Sequence, residues 1–110
     1  MAYDSSIAQR IRAVIAEEKG ISEKKMFGGL AFLVHGNMCV AASGQGGMLV
    51  RIDPADTKWA LTRPHATRMK MGGRSMDGWI RVAPEGARNT REIGAWVRRS
   101  LAYVRTLPPK

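Results

Sequence analysis

Residues 24–43 read KKMFGGLAFLVHGNMCVAAS, which is two apolar runs on either side of a short turn sequence. The runs Lys25–Val34 and Met38–Ser43 predict two β-strands, because each is an apolar stretch bounded by turn residues. The intervening His35-Gly36-Asn37 is typical of a turn. A connection this short joins antiparallel strands and excludes a parallel crossover. The stretch therefore predicts an antiparallel hairpin within a sheet.

Two adjacent glycines, Gly28 and Gly29, interrupt the first of these runs. Glycine loops that bind phosphate follow a strand and open a helix, because the helix N-terminus supplies free N–H groups. Here the residues that follow continue as strand, and the pair matches neither G-x-G-x-x-G nor G-x-x-x-x-G-K-[ST]. We therefore favour a β-bulge or close packing against a neighbouring strand over a phosphate site.

The first predicted strand is apolar on both sides. Alternation of side chains sends Phe27, Ala31 and Leu33 to one face of the sheet. The residues sent to the other face are Met26, Leu30, Phe32 and Val34. Two apolar faces are typical of a strand that is covered on both sides.

The remaining elements complete an α+β pattern. A first amphipathic helix is capped within Asp4–Ser6 and closed at Gly20, and a last helix begins at Asn89 and stops before Pro108. Between them the sequence predicts a strand over Met48–Ile52, a short helix from Asp53 to about Leu61, a strand around Met69 and Met71, and a strand over Trp79–Val82. The expected fold is one domain over residues 1–110. It has two layers in the order α-β(3)-α-β(2)-α, with a mostly antiparallel five-stranded sheet.

One face of this sheet is left without a predicted cover. Three helices in a single layer cover only one face, and we expect the other to include Leu33, Cys39 and Trp79. We therefore predict a homodimer or a protein partner that binds through this second face.

Net charge is the unusual total of the chain. Eighteen Lys and Arg against nine Asp and Glu give +9, which favours polyanionic partners. The one cysteine, Cys39, excludes an intrachain disulfide and indicates a reducing compartment. No apolar run reaches the ~18 residues of a membrane span, and the start lacks a signal-peptide pattern. We expect a cytoplasmic protein without a membrane partner.

Basic residues are concentrated in the segment between Trp59 and Trp79. They are Arg63, His65, Arg68, Lys70 and Arg74. Positive charge next to aromatic rings predicts binding of anions or nucleic acid through Arg63, Arg68, Lys70 and Arg74. The alternative is a solvated strand edge whose charges discourage edge-to-edge pairing. A stripe on the last helix, Arg91, Arg98 and Arg105, is predicted to face solvent.

Residues with catalytic or metal-binding chemistry are few and scattered. His35 and Cys39 flank a turn without a second cysteine, and nothing in the sequence brings His65 to Cys39. We predict no catalytic, cofactor or metal site and expect a chain that is not an enzyme.

The order and spacing of several segments resemble the N-terminal domain of the TfoX/Sxy family. They are KKMFGGLAFLVHGNMCV, MLVRID, WALTRPHATRMKM, MDGWIRVAPEG and AWVRRSLAYVRTLPPK. The similarity covers roughly residues 6–109. Its structural motif residues here are Met26, Phe27, Gly28, Gly29, Gly36 and Pro84.

This resemblance implies a two-layer fold similar to secretion chaperones and a role as a small regulatory or protein-interaction module. Full-length relatives are associated with natural competence genes and a cyclic-AMP-responsive activator. Those relatives carry a further helical C-terminal domain. The resemblance here covers the N-terminal domain, and we expect this chain to be a stand-alone version of it. The resemblance supplies no catalytic residues and no cofactor.

Overall fold

The computed structural model describes residues 3–26, 28–71 and 73–110, with only the backbone of Met71, Arg74 and Ser75. An antiparallel six-stranded sheet forms one layer and three helices form the other, which confirms the predicted α+β class. The helices are α1 (Ser5–Val14), α2 (Thr57–Leu61) and α3 (Thr90–Val104). The strands are β1 (Ile21–Met26), β2 (Gly29–Val34), β3 (Asn37–Ala42), β4 (Met48–Arg51), β5 (Ala66–Met71) and β6 (Arg74–Val82).

The sheet has the order β1-β2-β3-β4-β6-β5. The first four strands are neighbours in sequence and in space, as expected for strands joined by short connections. β6 pairs with β4, so β5 becomes the outer strand at that end. β1 and β5 are therefore the two edges of the sheet.

The strand count was predicted one too low because β1 was missed. Its sequence, ISEKKM, has four exposed residues in a row and no apolar alternation to mark it. The predicted run Lys25–Val34 is also not one strand. β1 and β2 pair from Ile21 opposite Val34 to Met26 opposite Gly29, so they form a hairpin with Gly28 in its connection.

Side chains cap the two long helices as the sequence predicted. Asp4 accepts a hydrogen bond from the Ser6 backbone N–H (2.8 Å), and Asn89 accepts one from that of Glu92 (2.9 Å). α1 ends at Val14, which is earlier than predicted. Gly20, expected to close that helix, instead accepts a hydrogen bond from the His35 N–H at the start of β1.

One large apolar core lies between the sheet and the helices. All three helices contribute to it, with Ile11 from α1, Ala60 from α2 and Val97 from α3 fully buried. β2 contributes Phe32, which is 1% exposed, and β6 contributes Ile80. None of the helices within the described residues has the length and apolarity needed to cross a membrane.

Candidate functional site

The sheet face opposite the helices carries a second, smaller apolar cluster, and we call this side the outer face. The centre of the cluster is buried and consists of Ala31, Ala41, Leu49 and Met69. Around that centre lie the half-buried side chains of Met26, Leu33, Met38 and Trp79. All eight residues belong to strands, and none of them is charged. The centre of the outer face is therefore apolar and uncharged.

The sequence placed Leu33 and Trp79 on this face, and the structure confirms both. It placed Cys39 there too, which is wrong. The pairing of β2 with β3 shifts between Phe32 and Leu33, and this β-bulge puts the consecutive residues Cys39 and Val40 on the same, helix-covered side. The Ser100 hydroxyl on α3 donates a hydrogen bond of 2.9 Å to the Cys39 carbonyl oxygen.

Met26 was predicted on the side of Phe32, and it lies instead on the outer face. The physical reason is the hairpin, because alternation along a single strand does not continue through a turn. Phe27, predicted beside Leu33, lies outside the described residues.

Two arginines that the structure describes at the outer face are engaged within the chain. The Arg81 guanidinium donates to Ser43 Oγ (3.0 Å) and to the carbonyl oxygens of Gln45 (3.1 Å) and Gly46 (3.2 Å). The Arg51 guanidinium carbon lies 5.2 Å from the centre of the Trp79 ring, within reach of a cation–π interaction. The positive charges of Arg81 and Arg51 are therefore both in contact with other groups of the same chain.

The structure places three of the four basic residues that the sequence grouped as an anion site, and it divides them between two clefts. Arg68 and Lys70 line a shallow cleft of about 440 Å³ that also includes Arg81. Arg68 is also paired with Asp77, with 3.3 Å between Nε and Oδ1. Arg63 lines a different cleft, beside Trp59. The side chain of Arg74 lies outside the part of the chain that the structure describes.

That second cleft, which we call the Trp59 cleft, lies between α2 and the first turns of α3. It has a volume of about 710 Å³, and its aromatic and cationic lining residues are Trp59, Trp96, Arg63, His65, Arg91 and Arg99. Trp59 is 39% exposed, more than any other large apolar side chain among the described residues. The sequence places Trp59 close to Arg63 but gives no sign of Arg99, which lies forty positions after Trp59.

Several residues of the motif that carried the family resemblance lie at turns or at points of close backbone packing. A Cβ atom on Gly29 would overlap the carbonyl oxygen of Ala42 on β3, so the close packing predicted there is confirmed. Gly28 has φ +72° and lies in the β1–β2 connection, so the predicted bulge is a hairpin turn. Gly36 has φ +85° in the β2–β3 turn, and Pro84 opens a short 3-10 turn before α3.

Groups with nucleophilic or metal-binding chemistry are kept apart. Burial raises the pKa of the Cys39 thiol to about 11, which keeps it protonated at neutral pH. Cys39 lies in the core beneath Ser100, whereas His65 is exposed in the turn before β5. Within the described residues, no three His, Cys, Asp or Glu side chains come together as a metal site would require.

These features define a class of protein: a small α+β module with helices on one sheet face and a half-buried apolar surface on the other. The family model for the TfoX N-terminal domain matches residues 13–104 of the 110-residue chain. The chain therefore belongs to the TfoX N-terminal domain family, as the sequence resemblance indicated. Neither a curated protein nor a solved structure is detectably similar to it.

Proposed function

We propose that this chain is a non-enzymatic regulatory module that self-associates through its outer face and acts in the control of transcription. The observation that carries the proposal is the outer face itself. A set of eight uncharged apolar side chains lies there, and within the described residues no helix covers it. Contiguous apolar surface that stays accessible to solvent can mark an interaction site.

A second copy of the chain is the partner that charge favours. The chain carries +9, so two copies repel each other wherever free cations meet. The apolar cluster contains no charge, and the nearby Arg51 and Arg81 contact Trp79 and the loop after β3. The exposed Lys24, opposite Ala31, lies at the margin of the cluster on the edge strand β1. An uncharged apolar cluster is complementary to itself under two-fold symmetry, which is the commonest symmetry of soluble oligomers.

The sheet edges favour contact through the face over pairing of edge strands. On β1 the exposed residues include Glu23, Lys24 and Lys25, and on β5 they include Arg68 and Lys70. Charged side chains along an edge strand discourage a second strand from pairing there. We therefore expect two sheets to pack face to face, about 10 Å apart.

The non-enzymatic part of the proposal is supported by the state of the candidate nucleophile. Cys39 has its thiol in the core with a raised pKa, and His65 is exposed elsewhere on the molecule. A nucleophilic cysteine needs an accessible thiolate next to a base. The regulatory part is supported by membership of the TfoX N-terminal domain family.

Light scattering coupled to size-exclusion chromatography tests self-association. The expected mass is about twice the 12.1 kDa of one chain. Leu33→Glu places a charge in the outer face and is expected to give a monomer, because an unpaired charge in an apolar interface is costly. Ala13→Glu adds the same charge on an exposed position of α1 and is expected to leave the dimer intact. A wild-type chain that stays monomeric at high concentration contradicts the proposal.

The transcriptional role needs a separate measurement. Transcript profiles of native cells that express the wild type, Leu33→Glu or Ala13→Glu at equal levels are expected to differ only for Leu33→Glu. If Leu33→Glu is monomeric and its profile matches that of the wild type, regulation through this dimer is excluded.

A further inference from the structure

The Trp59 cleft has an aromatic ring held in place at the surface by charged neighbours. The guanidinium carbon of Arg99 lies 3.6 Å from the centre of the Trp59 ring, which is a stacking distance. Asp56 holds the same guanidinium, with 3.5 Å between Arg99 Nη1 and Asp56 Oδ2. Trp96 packs against the same ring in a tilted arrangement, with 6.0 Å between the two ring centres and 57° between their planes. The ring and the guanidinium therefore form one preorganised, partly exposed platform.

Positive charge surrounds this platform. The guanidinium carbon of Arg63 lies 5.9 Å from the centre of the Trp59 ring, and the exposed Arg91 lines the same cleft. Among the described lining residues the carboxylate is that of Glu92, which accepts a hydrogen bond of 3.0 Å from the Arg88 backbone N–H. The Asp56 carboxylate that pairs with Arg99 lines a different cleft. Arg98 continues the basic surface along the exposed side of α3. An anionic ligand is therefore attracted to the cleft, and the ring gives it an apolar surface to stack on.

We propose that the Trp59 cleft binds single-stranded nucleic acid. One base stacks against the Trp59–Arg99 platform, and the phosphates on either side of it contact Arg63 and Arg91. Of the residues that the sequence grouped as an anion site, Arg63 lines this cleft, whereas Arg68 and Lys70 line the other one. The proposal is independent of dimer formation through the outer face, because the cleft lies on the helix side.

Two physical arguments favour this ligand over the alternatives. An acidic peptide needs only positive charge, and it would leave the exposed aromatic ring unused, whereas every base has a π-face that stacks on Trp and Arg. A duplex keeps its base faces inside the helix, so it cannot use the ring either. A cleft of about 710 Å³ is the size of a site for a small organic group such as an unstacked nucleotide.

Fluorescence anisotropy with a labelled oligothymidylate of about twelve nucleotides tests the proposal. We expect the wild type to bind at physiological ionic strength, with an affinity that falls steeply as salt is added. Trp59→Ala is expected to weaken binding about 5- to 150-fold, the range measured when a stacking aromatic is removed. Trp59→Phe is expected to restore part of the loss, which a purely electrostatic site would not show.

Arg63→Gln removes one charge and keeps the cleft's aromatic rings. It therefore tests nucleic-acid binding by the cleft even if Trp59→Ala fails to fold. It is expected to lower the slope of log K against log salt by about 0.7, the value for one phosphate contact on a single strand. Lys24→Gln removes one charge from the opposite edge of the sheet and is expected to leave the slope unchanged.

Three results would overturn the proposal. The first is no binding by the wild type at physiological ionic strength. The second is equal binding by Arg63→Gln and Lys24→Gln, which would mean that only net charge acts. The third is displacement of the oligonucleotide by polyglutamate or by duplex DNA as effectively as by the unlabelled single strand, which would assign the cleft to acidic proteins or to general polyanions.

Discussion

The two faces of the sheet are made by the same strands, yet they differ in how their apolar residues are covered. On β2, Phe32 is 1% exposed beneath the helices, whereas the next residue, Leu33, is half-buried on the outer face. On β3, Ala42 belongs to the large core and Ala41 to the small cluster. Neighbouring residues with similar chemistry thus have different roles. One face is covered by the helices, and the other keeps several apolar side chains only half-buried.

Truncation of two adjacent side chains on β2 is expected to give the largest effect. Phe32→Ala opens a cavity beneath the helices and is expected to cost about 3–5 kcal/mol in the free energy of unfolding. Leu33→Ala is expected to cost clearly less in the monomer, because its side chain is only half-buried, and to weaken self-association instead. Urea unfolding at low protein concentration measures the first effect, and sedimentation measures the second. Equal costs in the monomer would mean that the two faces do not differ.

Enlargement of two adjacent alanines on β3 tests the same difference in the opposite direction. Ala42→Leu forces extra atoms into a packed core and is expected to cost about 1–3 kcal/mol or more. Ala41→Leu extends away from the helices, so we expect a cost smaller by at least ~1 kcal/mol. Thermal unfolding of the two variants gives the comparison. If Ala41→Leu proves as costly as Ala42→Leu, the outer face is as tightly packed as the core.

The pH dependence of stability tests the placement of Cys39 on the covered face. Burial raises the pKa of the Cys39 thiol from its ordinary value of 9.0 to about 11 in the folded chain. The stability linked to this shift is fully present below pH 9.0 and is lost as pH rises towards 11. We expect the wild type to lose roughly 2 kcal/mol more than Cys39→Ala between these pH values. Denaturant unfolding at a series of pH values measures this difference.

Thiol labelling provides a second check on Cys39. At neutral pH the folded chain is expected to react roughly a hundredfold or more slowly than the unfolded chain, because a buried thiol reacts only after opening. Rapid labelling of the folded chain would place the thiol on the outer face after all.

The smallest expected effect concerns an ion pair that joins the helix layer to the edge strand β1. Arg12 on α1 donates two hydrogen bonds to the Glu23 carboxylate, of 2.7 and 2.8 Å, and these hold the pKa of Glu23 below its ordinary value. Both side chains are more than a third exposed, so Glu23→Gln is expected to cost less than ~1 kcal/mol. Because the pKa of Glu23 is lowered, its contribution to stability is present when the pH is above 4.5, the ordinary pKa of the group. The contribution is lost as the pH falls below that value.

Unfolding curves of the wild type and Glu23→Gln are therefore expected to differ at neutral pH and to converge in acid or at high salt. Glu85→Gln, on the short turn before α3, provides the control. A difference that persists in acid would mean that Glu23 acts by packing and not by charge.

The sequence predicted those parts of the fold that leave a local pattern. The caps Asp4 and Asn89, the two-faced β2 and the short helix after Pro54 were all found in this way. β1 was missed because its stability comes from pairing with β2 and not from apolar residues of its own. The side on which Cys39 lies depends on a bulge, and a single extra residue in a strand has no clear sequence signature.

Prediction of the candidate sites was limited by distance along the chain. The outer face was anticipated because Leu33 alternates with Phe32 within one strand. The Trp59 cleft was not, because Arg99 reaches Trp59 only after α3 packs beside α2. Conversely, Arg63 and Arg68 are close in sequence, but the turn before β5 sends them to different clefts.

The β2–β3 turn has a consequence for how the protein is tagged or fused. The buried Asn37 side chain donates a hydrogen bond of 2.9 Å to the Pro108 carbonyl oxygen, and the Lys110 N–H donates one of 2.8 Å to the His35 carbonyl oxygen. These hydrogen bonds thus join the last residues of the sequence to a turn that lies 71 positions earlier in the chain, counted from Pro108 to Asn37. Anything attached beyond Lys110 therefore begins beside this turn.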